Sequence, residues 1–535
     1  MTKKVLMFSS LIVLISSFLL INRLQVKNFT VFNNVNSQQI EEVKENLSRV
    51  EELEFTALLC NEIRVPFDDK TNTFFVPLDM EDTQWEKMTF FSGQPEYQIL
   101  FRDDVTDVNK QELIASNKKI ELIVFDGQFW SEYYVTFTGL PIVDLSTNEG
   151  FNAVEEITGT AVFFDTNFTL HGTEQSAYNG HIRGNTSRMF PKKGYKLNLT
   201  YINEYGEEEN NKLSLFGMRK DDDWILQALY NDDTKIRDRL SMEVWDKIGA
   251  NVVSDDSYYG PKMTYVEVFA DNQYCGLYGL MEPVDGKQLN LAEEDYSYKR
   301  KNPGSVRYKY EVFSNVDNVY GEVEGFEIKD GLMEEDAWKA MAKLSKTITS
   351  KKWRERLEEN NILNEDSVLR MWVFIQIITG HDHTAKNMYY VAKYDENLKD
   401  DYQFYFVPWD MDLTWGNVSV GEINPYYTAF EMETLDNRVY WDIADMLIDD
   451  NYHDVKDRAQ NLYNELRENA LTNDVIDQMI LQLDHELRDS GAFARDKERW
   501  PEGIHATDSN VLRKYAKERL NYLDIAINDF DYFEE

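Results

Sequence analysis

The chain has 535 residues, and its 56 basic against 96 acidic side chains give it a net charge of −40. That charge argues against nucleic acid as a partner, because phosphate binding needs a basic face. The charge suits a basic protein substrate or cations, although a highly soluble acidic surface would give the same balance, and 2 cysteines exclude a disulfide framework or a cysteine zinc site.

The N-terminus carries an apolar run, residues 5–21, behind Lys3 and Lys4. The run has the minimum length for a spanning helix, is long for a signal peptide, and is not followed by a small-residue cleavage site. We predict a transmembrane anchor or atypical signal over residues 1–24, with the remainder at the cell surface or secreted. Basic residues flank both ends of the run, so the positive-inside rule leaves a cytoplasmic orientation open.

Two further regions precede the main domain. Residues 25–58 form a predicted juxtamembrane tether, in which Ile40, Val43 and Leu47 have the spacing of a short amphipathic helix. Residues 59–139 are rich in aromatic and β-branched residues and predict a small β accessory domain. Its expected strands are Phe74–Val76, Tyr97–Phe101, Glu121–Phe125 and Tyr133–Phe137.

Residues 140–535 alternate strands and helices at first and are mostly helical later. Strands are expected at Gly159–Phe164, Gly194–Leu199, Thr264–Ala270 and Gly276–Met281, with a loop ending at Trp224–Leu226 and a helix at Thr234–Ile248. This pattern predicts an α+β protein with a mixed N-lobe and a helical C-lobe, the outline of a protein-kinase-like two-lobed fold. A basic segment, Ser297–Tyr310, is expected to be a mobile loop, or else a contact for phosphate or an acidic substrate.

The stretch from residue 377 to residue 416 carries the clearest catalytic pattern. An apolar helix ends near Ile378, a polar loop contains Asp382 and Asn387, and a strand–turn–strand leads to Asp410 and Asp412. Kinase catalytic loops have this order. We predict that Asp382 orients the attacking hydroxyl. Asn387, Asp410 and Asp412 are then expected to hold Mg²⁺ or Mn²⁺, with Asp410 as the principal ligand.

Four blocks of sequence, in order, resemble the spore-coat protein H (CotH) kinase family. The first is HIRGNTSRMFPKKGYKLNL, and the second is DDDWILQALYNDDTKIRDRLSMEVWDKIG. The third is YVEVFADNQYCGLYGLMEPVD, and the fourth contains PWDMDLTWG. The resemblance extends from about Leu140 to the C-terminal helices. It implies an atypical exported kinase that uses ATP and Mg²⁺ or Mn²⁺ to phosphorylate Ser or Thr of an exported protein.

Kinase chemistry also predicts residues for the nucleotide. Lys196, on a strand after a basic turn, is expected to contact the phosphates, with Lys192 and Lys193 as rivals, and Glu243 on the following helix is expected to form the ion pair with it. The loop expected to cover the phosphates contains Arg183, Gly184, Asn185 and Arg188. The backbone of Glu282 is expected to contact the adenine.

Two alternatives remain open from the sequence. One is a non-catalytic surface-binding protein or adhesin on the same fold. The other is an enzyme of this fold that transfers a nucleotidyl or amino-acid group, since such a reaction needs the same nucleotide–metal site. The presence of Asp410 and Asp412 favours an enzyme.

Overall fold

The structure is a computed structural model. It describes residues 29–30, 37–79, 88–102, 109–148, 150, 156–184, 186–249, 260–307, 311–314, 321–333, 336–419, 428–430 and 435–534. The anchor predicted over residues 1–24 lies outside these ranges. Within them, no helix combines the length and apolar character needed to cross a bilayer.

A mixed sheet forms the centre of the accessory region. Its long strand Phe129–Thr138 pairs in parallel with Thr73–Pro77 and antiparallel with Ile120–Phe125. All four strands predicted here are present, because aromatic and β-branched side chains pack well on a pleated surface. The other strands of the region are Phe29–Thr30, Ser48–Arg49, Leu58–Cys60, Ile63–Arg64, Phe67–Asp68, Thr89–Ser92 and Gln98–Phe101, and its second helix is Lys110–Ala115.

The helix predicted within residues 25–58 is present as Ser37–Asn46. Its Ile40 and Val43 are fully buried, and they pack in one cluster with Ile123 of the accessory sheet. The covered apolar stripe therefore packs this predicted tether helix against the accessory sheet.

Seven strands of the main domain close into a barrel. Glu174–Arg183 pairs with both Glu156–Phe164 and Gly194–Ile202, which joins the two ends of the sheet. Around the barrel the strands are Ile142–Thr147, Glu156–Phe164, Glu174–Arg183, Gly194–Ile202, Asp223–Gln227, Gln273–Met281 and Met263–Ala270. Closure leaves these seven strands with partners on both sides, which protects them from pairing with other chains. The expected loop at Trp224–Leu226 is therefore corrected to a barrel strand.

Side chains alternate between the inside and outside of the barrel. Tyr195, Leu197 and Leu199 point inward and are fully buried together with Trp224. Lys196, between them, faces outward. Glu208–Asn210 extends the sheet beside Gly194–Ile202, and Leu213–Ser214 pairs with Lys220–Asp221.

A second, four-stranded antiparallel sheet follows the barrel. Its strands lie in the order Phe326–Asp330, Tyr296–Arg300, Met388–Tyr394 and Tyr402–Pro408. The basic segment expected to be a mobile loop thus begins in an ordered strand, because the aromatic and small residues of Tyr296–Arg300 pair on both sides. Residues 308–310 of that segment lie outside the described part.

Helices surround this sheet, as the helical periodicity of the second half predicts. The buried Glu365–Ile378 helix starts at Asn364, whose side chain accepts a hydrogen bond from the Ser367 N–H, and its C-terminus leads into the predicted catalytic loop. The α-helices of the main domain are Phe168–His171, Arg237–Lys247, Glu311–Ser314, Lys339–Ile348, Trp353–Asn360, Glu365–Ile378, Asp442–Asp449, Val455–Glu468, Asn473–Asp489, Ala492–Arg499 and Asn510–Ala526. Short 3-10 helices are Thr186–Met189, His381–Thr384, Tyr452–Asp454 and Phe530–Glu534, and Asn417–Ser419 pairs with Thr428–Phe430. The predicted α+β class is confirmed.

One buried arginine connects the C-terminal helices, the barrel and the accessory sheet. Arg495 donates to the Glu267 carboxylate at 2.8 and 2.7 Å, and to the Thr138 hydroxyl at 2.8 Å. It also donates to the Ser490 carbonyl at 2.9 Å. Glu267 is fully buried, so this buried ion pair connects three parts of the chain.

Candidate functional site

The predicted catalytic loop is a tight turn at the end of a buried helix. Thr379 adopts a left-handed conformation (φ 51°), and the 3-10 helix containing Asp382 follows. Side-chain atoms of Lys386 and Asn387 lie 3.0 and 3.3 Å from the Asp382 Oδ2. The Asp382 side chain keeps 28% of its surface exposed, so it is both held in place and open to a reactant.

Asn387 connects the predicted catalytic loop to the turn that contains Asp410 and Asp412, called here the Asp410 loop. Its backbone is left-handed (φ 61°), which asparagine tolerates better than most residues. Its carbonyl accepts from the Trp409 N–H at 3.0 Å, and its side-chain amide donates to the Asp410 carbonyl at 3.2 Å. Its own N–H donates to the Arg300 carbonyl at 2.9 Å. The three predicted loop residues Asp382, Asn387 and Asp410 therefore lie together.

Asp412 is held from the barrel side of the site. The Asn231 side chain donates to its carboxylate at 2.5 Å, and the Asn417 side chain donates to its carbonyl at 2.9 Å. Asp410 has a left-handed backbone (φ 57°), so Asp410 and Asp412 lie in a turn rather than on a regular strand.

The structure adds a fourth carboxylate, Asp238, that the sequence interpretation missed. Asp238 lies in the first turn of the Arg237–Lys247 helix and is 2% exposed. It accepts from the Met411 N–H at 2.9 Å and from the Gln227 side chain at 3.2 Å. It shares a buried stripe with Ser241 and Trp245 at i+3 and i+7, a spacing that identifies Asp238 only once the buried face of the helix is known.

Like charges crowd this site. Burial, and then the charge of Asp410, raises the pKa of Asp238 to about 7. The pKa of Asp412 is raised well above its ordinary value by burial, and then by Asp410 and Asp238. A divalent cation would relieve this repulsion, and carboxylate and amide oxygens are the ligands that Mg²⁺ and Mn²⁺ prefer. The donor set therefore fits the predicted metal.

A separate acidic cluster already has basic side chains as ion-pair partners. In the described ranges, one trio of carboxylates comes within 4.8 Å of each other, Asp221, Asp222 and Asp223. The Lys287 ammonium ion-pairs with all three carboxylates, at 3.0 Å from Asp222 and 3.5 Å from Asp223. These contacts hold the pKa of Lys287 above its ordinary value although burial lowers it. The trio is thus a lysine-binding cluster rather than a part of the Asp410 site.

The predicted phosphate-covering loop reaches the site through Arg183. Arg183 donates to the Gln227 side chain at 2.6 Å, and its guanidinium lies 5.4 Å from the centre of the Trp409 ring. Gly184 has φ 100°, and a Cβ there would stand 1.9 Å from the Ser187 hydroxyl. Arg188 donates to the Ile182 carbonyl at 2.9 Å, which braces the loop. Asn185 lies outside the described residues.

The predicted ion pair between Lys196 and Glu243 is not formed, and the expectation is corrected. Lys196 lies on the barrel exterior, 3.0 Å from Asp223, at a polar cleft of about 710 Å³. Glu243 pairs with Arg239 at 3.2 Å, on the side of the helix that faces Glu486. Five residues of helix rotate Glu243 about 140° from Asp238, so the two acids face different parts of the protein.

The remaining predicted residues have structural contacts. Lys192 is fully buried between the Leu277 carbonyl and Asp496, whose carboxylate is 2.6 Å from its ammonium. Lys193 donates to main-chain carbonyls of its own loop. The Glu282 side chain accepts from the Arg219 N–H at 2.9 Å, and its main-chain N–H donates to the Lys262 carbonyl at 3.0 Å, so the predicted adenine contact would be left to its main-chain carbonyl.

Two comparisons with known proteins bear on this site. The family model described as "CotH kinase protein" matches residues 181–523. The "Inner spore coat protein H" of Bacillus subtilis (strain 168) is 25% identical over 250 residues, 45% of this chain. The match spans 59% of that relative's length. All the carboxylates of the candidate site lie within the range that the family model matches.

Proposed function

The chain belongs to the CotH kinase family, and on that premise we propose an ATP- and divalent-metal-dependent protein kinase with a kinase-like two-lobed arrangement. Its substrate would be a Ser or Thr hydroxyl of an exported or surface protein. The observation that carries the proposal is the meeting of Asp382, Asn387, Asp410 and Asp412 at one place, beside the cation Arg183.

Each side chain has a task that its contacts support. Asp382 is open to a reactant and accepts the proton of the substrate hydroxyl. The hydroxyl oxygen attacks the γ-phosphorus of ATP, and the bond between the γ-phosphorus and the β-phosphate oxygen breaks, which releases ADP. Lys386 and Asn387 hold the Asp382 carboxylate in one orientation. Arg183 offers a positive charge where the phosphates would lie.

The metal supplies charge neutralisation between the nucleotide's phosphates and the protein. Asp410 and Asp412 would hold it, with Asn387 as the amide ligand. Asp238 acts differently: it fixes the Met411 N–H between these two aspartates and so sets the path of the backbone that presents them.

Intact mass of a candidate exported Ser/Thr-containing protein tests the proposal directly. After incubation with the full chain, ATP and Mn²⁺, a gain of one phosphate supports the kinase, and the gain should disappear with Asp382→Ala. A gain of one nucleotidyl group would replace phosphoryl transfer by nucleotidyl transfer. An unchanged mass across a panel of surface proteins would favour the surface-binding alternative.

Location remains part of the proposal. The relative from Bacillus subtilis is named as a spore coat protein, which supports an exported or surface position for this chain. Treating intact cells with external protease tests it, because an exported main domain should be digested while a cytoplasmic marker survives.

A further inference from the structure

A lysine that the proposed mechanism does not use lies beside the Asp410 loop. Lys299 belongs to the strand Tyr296–Arg300, and its ammonium is 4.8 Å from the centre of the Trp409 ring and 5.6 Å from that of Tyr389. The two rings meet edge to face at 5.9 Å. A cation held against aromatic faces gains attraction without being neutralised.

The backbone fixes Lys299 to the catalytic loop. Lys299 pairs with Tyr389 in the sheet, and the carbonyl of the next residue, Arg300, accepts from the Asn387 N–H at 2.9 Å. Tyr298 and Tyr390, the neighbours in sequence, point into the hydrophobic core and are fully buried. Alternation along the strand therefore turns Lys299 away from that core and toward Trp409.

A second cation faces the same ring from the barrel. The Arg183 guanidinium lies 5.4 Å from the Trp409 ring centre, and its hydrogen-bond partner is the neutral Gln227. Among the described residues, no carboxylate comes within ion-pair distance of the Lys299 ammonium, and the nearby Glu327 is paired with Lys301 and Lys329. Burial, and then the charge of Arg183, lowers the pKa of Lys299 to about 7. An anion bound between these two basic side chains would favour the charged form of Lys299 and offset its repulsion from Arg183.

We propose that Lys299 and Arg183, supported on the Trp409 indole, form the anion site that takes the polyphosphate of the nucleotide, and that Lys299 rather than Lys196 is its main lysine. The inference rests on the proposed function. Lys299 belongs to the basic segment Ser297–Tyr310, for which the sequence analysis allowed either a mobile loop or a phosphate contact. The proposal favours the phosphate contact for Lys299. Lys196 has its own carboxylate partner, Asp223, at 3.0 Å.

Calorimetric titration of the full chain with pyrophosphate, without added metal, tests the site directly. A charge-assisted hydrogen bond of this kind accounts for about 10- to 100-fold in affinity, so Lys299→Met should weaken binding by that factor. Lys299→Arg, which keeps the charge, should lose less. Lys329→Met is the matched control, because Lys329 is on the neighbouring strand of the same sheet and paired with Glu327 at 2.7 Å. Its affinity should stay within about twofold of the wild type.

Three results would overturn the inference: no pyrophosphate binding by the wild type, equal binding by Lys299→Met, or a larger loss in Lys196→Met than in Lys299→Met. Melting temperatures of each variant separate loss of fold from loss of the site. If Lys299→Met refolds poorly, Lys299→Gln and Arg183→Met carry the same comparison. The mass assay tests the proposed kinase activity separately. If the chain binds pyrophosphate through Lys299 but transfers no group, the anion site is supported and the kinase proposal is rejected.

Discussion

The main-chain N–H of Met411 donates a 2.9 Å hydrogen bond to the carboxylate of Asp238. Met411 lies between the two aspartates of the proposed metal loop, so a helix distant in sequence sets how those aspartates are presented. Asp238 is buried and interacts with the charge of Asp410, and both effects disfavour its ionised form. The loop is therefore ordered by a carboxyl group whose ionisation costs stability.

Asp238→Asn should stabilise the metal-free protein near pH 8. The pKa of Asp238 is raised to about 7 in the folded protein, against about 3.9 when unfolded. Between these values the folded state holds a proton that the unfolded state has released, so the stability given by the neutral carboxyl is present below about pH 4 and lost as pH rises through 7. Asparagine stays neutral and should gain at least about 1.4 kcal/mol, the equivalent of one pKa unit.

Denaturant unfolding at several pH values measures this difference. The advantage of Asp238→Asn over the wild type should grow between about pH 4 and pH 7, level off above pH 7, and shrink when Mn²⁺ is added. Asp246→Asn, an exposed acid on the same helix, is the control and should show no such growth. A constant difference at all pH values would contradict the assignment of Asp238 as a carboxyl that is neutral below pH 7.

Asp382→Asn should lower kcat by at least about a hundredfold, because a positioned base contributes about 10²–10⁴-fold. Asparagine keeps the size of the side chain and a hydrogen-bond acceptor for Lys386, so the loop should stay folded. Nucleotide affinity should change little, since the lost interaction belongs mainly to the transition state. Transfer rate and ATP affinity measured on one preparation decide: near-normal transfer would leave Asp382 with only a role in bracing the loop.

Asp410→Ala combined with Asp412→Ala should remove metal-dependent nucleotide binding. In the wild type, ATP with Mg²⁺ or Mn²⁺ at a hundredfold excess over Kd should raise stability by about 2.7 kcal/mol through mass action. The double variant should show little of this gain in a thermal-shift titration. Asp223→Ala is the informative control, since Asp223 lies in the separate acidic trio that is ion-paired with Lys287. If it abolishes the shift while the double variant keeps it, the metal binds at that trio instead.

Arg495→Ala should destabilise the whole chain by about 3–5 kcal/mol, because it leaves the buried Glu267 carboxylate without its partner. Arg458→Ala provides the contrast. Arg458 pairs with Glu365 and Asp366 at the surface and is 35% exposed, so its loss should cost about 0–1 kcal/mol. Chemical denaturation of both variants measures the difference. Similar small losses would mean that the accessory region, the barrel and the C-terminal helices do not depend on the Arg495–Glu267 pair.

Local sequence was enough to locate the loop half of the site. Met388 pairs with Pro408 across a hairpin, so the hairpin itself brings Asn387 next to Trp409 and Asp410. Short-range pairing of this kind follows from two strand patterns and a turn. The strands of the accessory region were predictable for the same reason, since their aromatic and β-branched content is a local property.

The barrel half of the site depends on long-range contacts that the chain order conceals. Choosing Asp238 over Glu243 requires knowing which face of their helix is buried, and both faces carry polar groups. Lys196 was partly decidable, since alternation with Tyr195 and Leu197 puts it outside the core. Its pairing with Asp223, however, follows from barrel neighbours that no local pattern predicts. Lys299 was missed as an individual residue because its basic segment resembles a loop in composition.

The contact between Lys192 and Asp496 spans 304 residues of chain, and this has a consequence for folding. Lys192, in the loop before the barrel strand Gly194–Ile202, is made early in synthesis, whereas its partner belongs to the helix Ala492–Arg499 near the C-terminus. Until that helix has been made, the Lys192 ammonium lacks its carboxylate partner. Loop closure over such a distance slows folding. We therefore expect the barrel to remain sensitive to protease until residues 492–499 have been added, with an abrupt gain in resistance at that length.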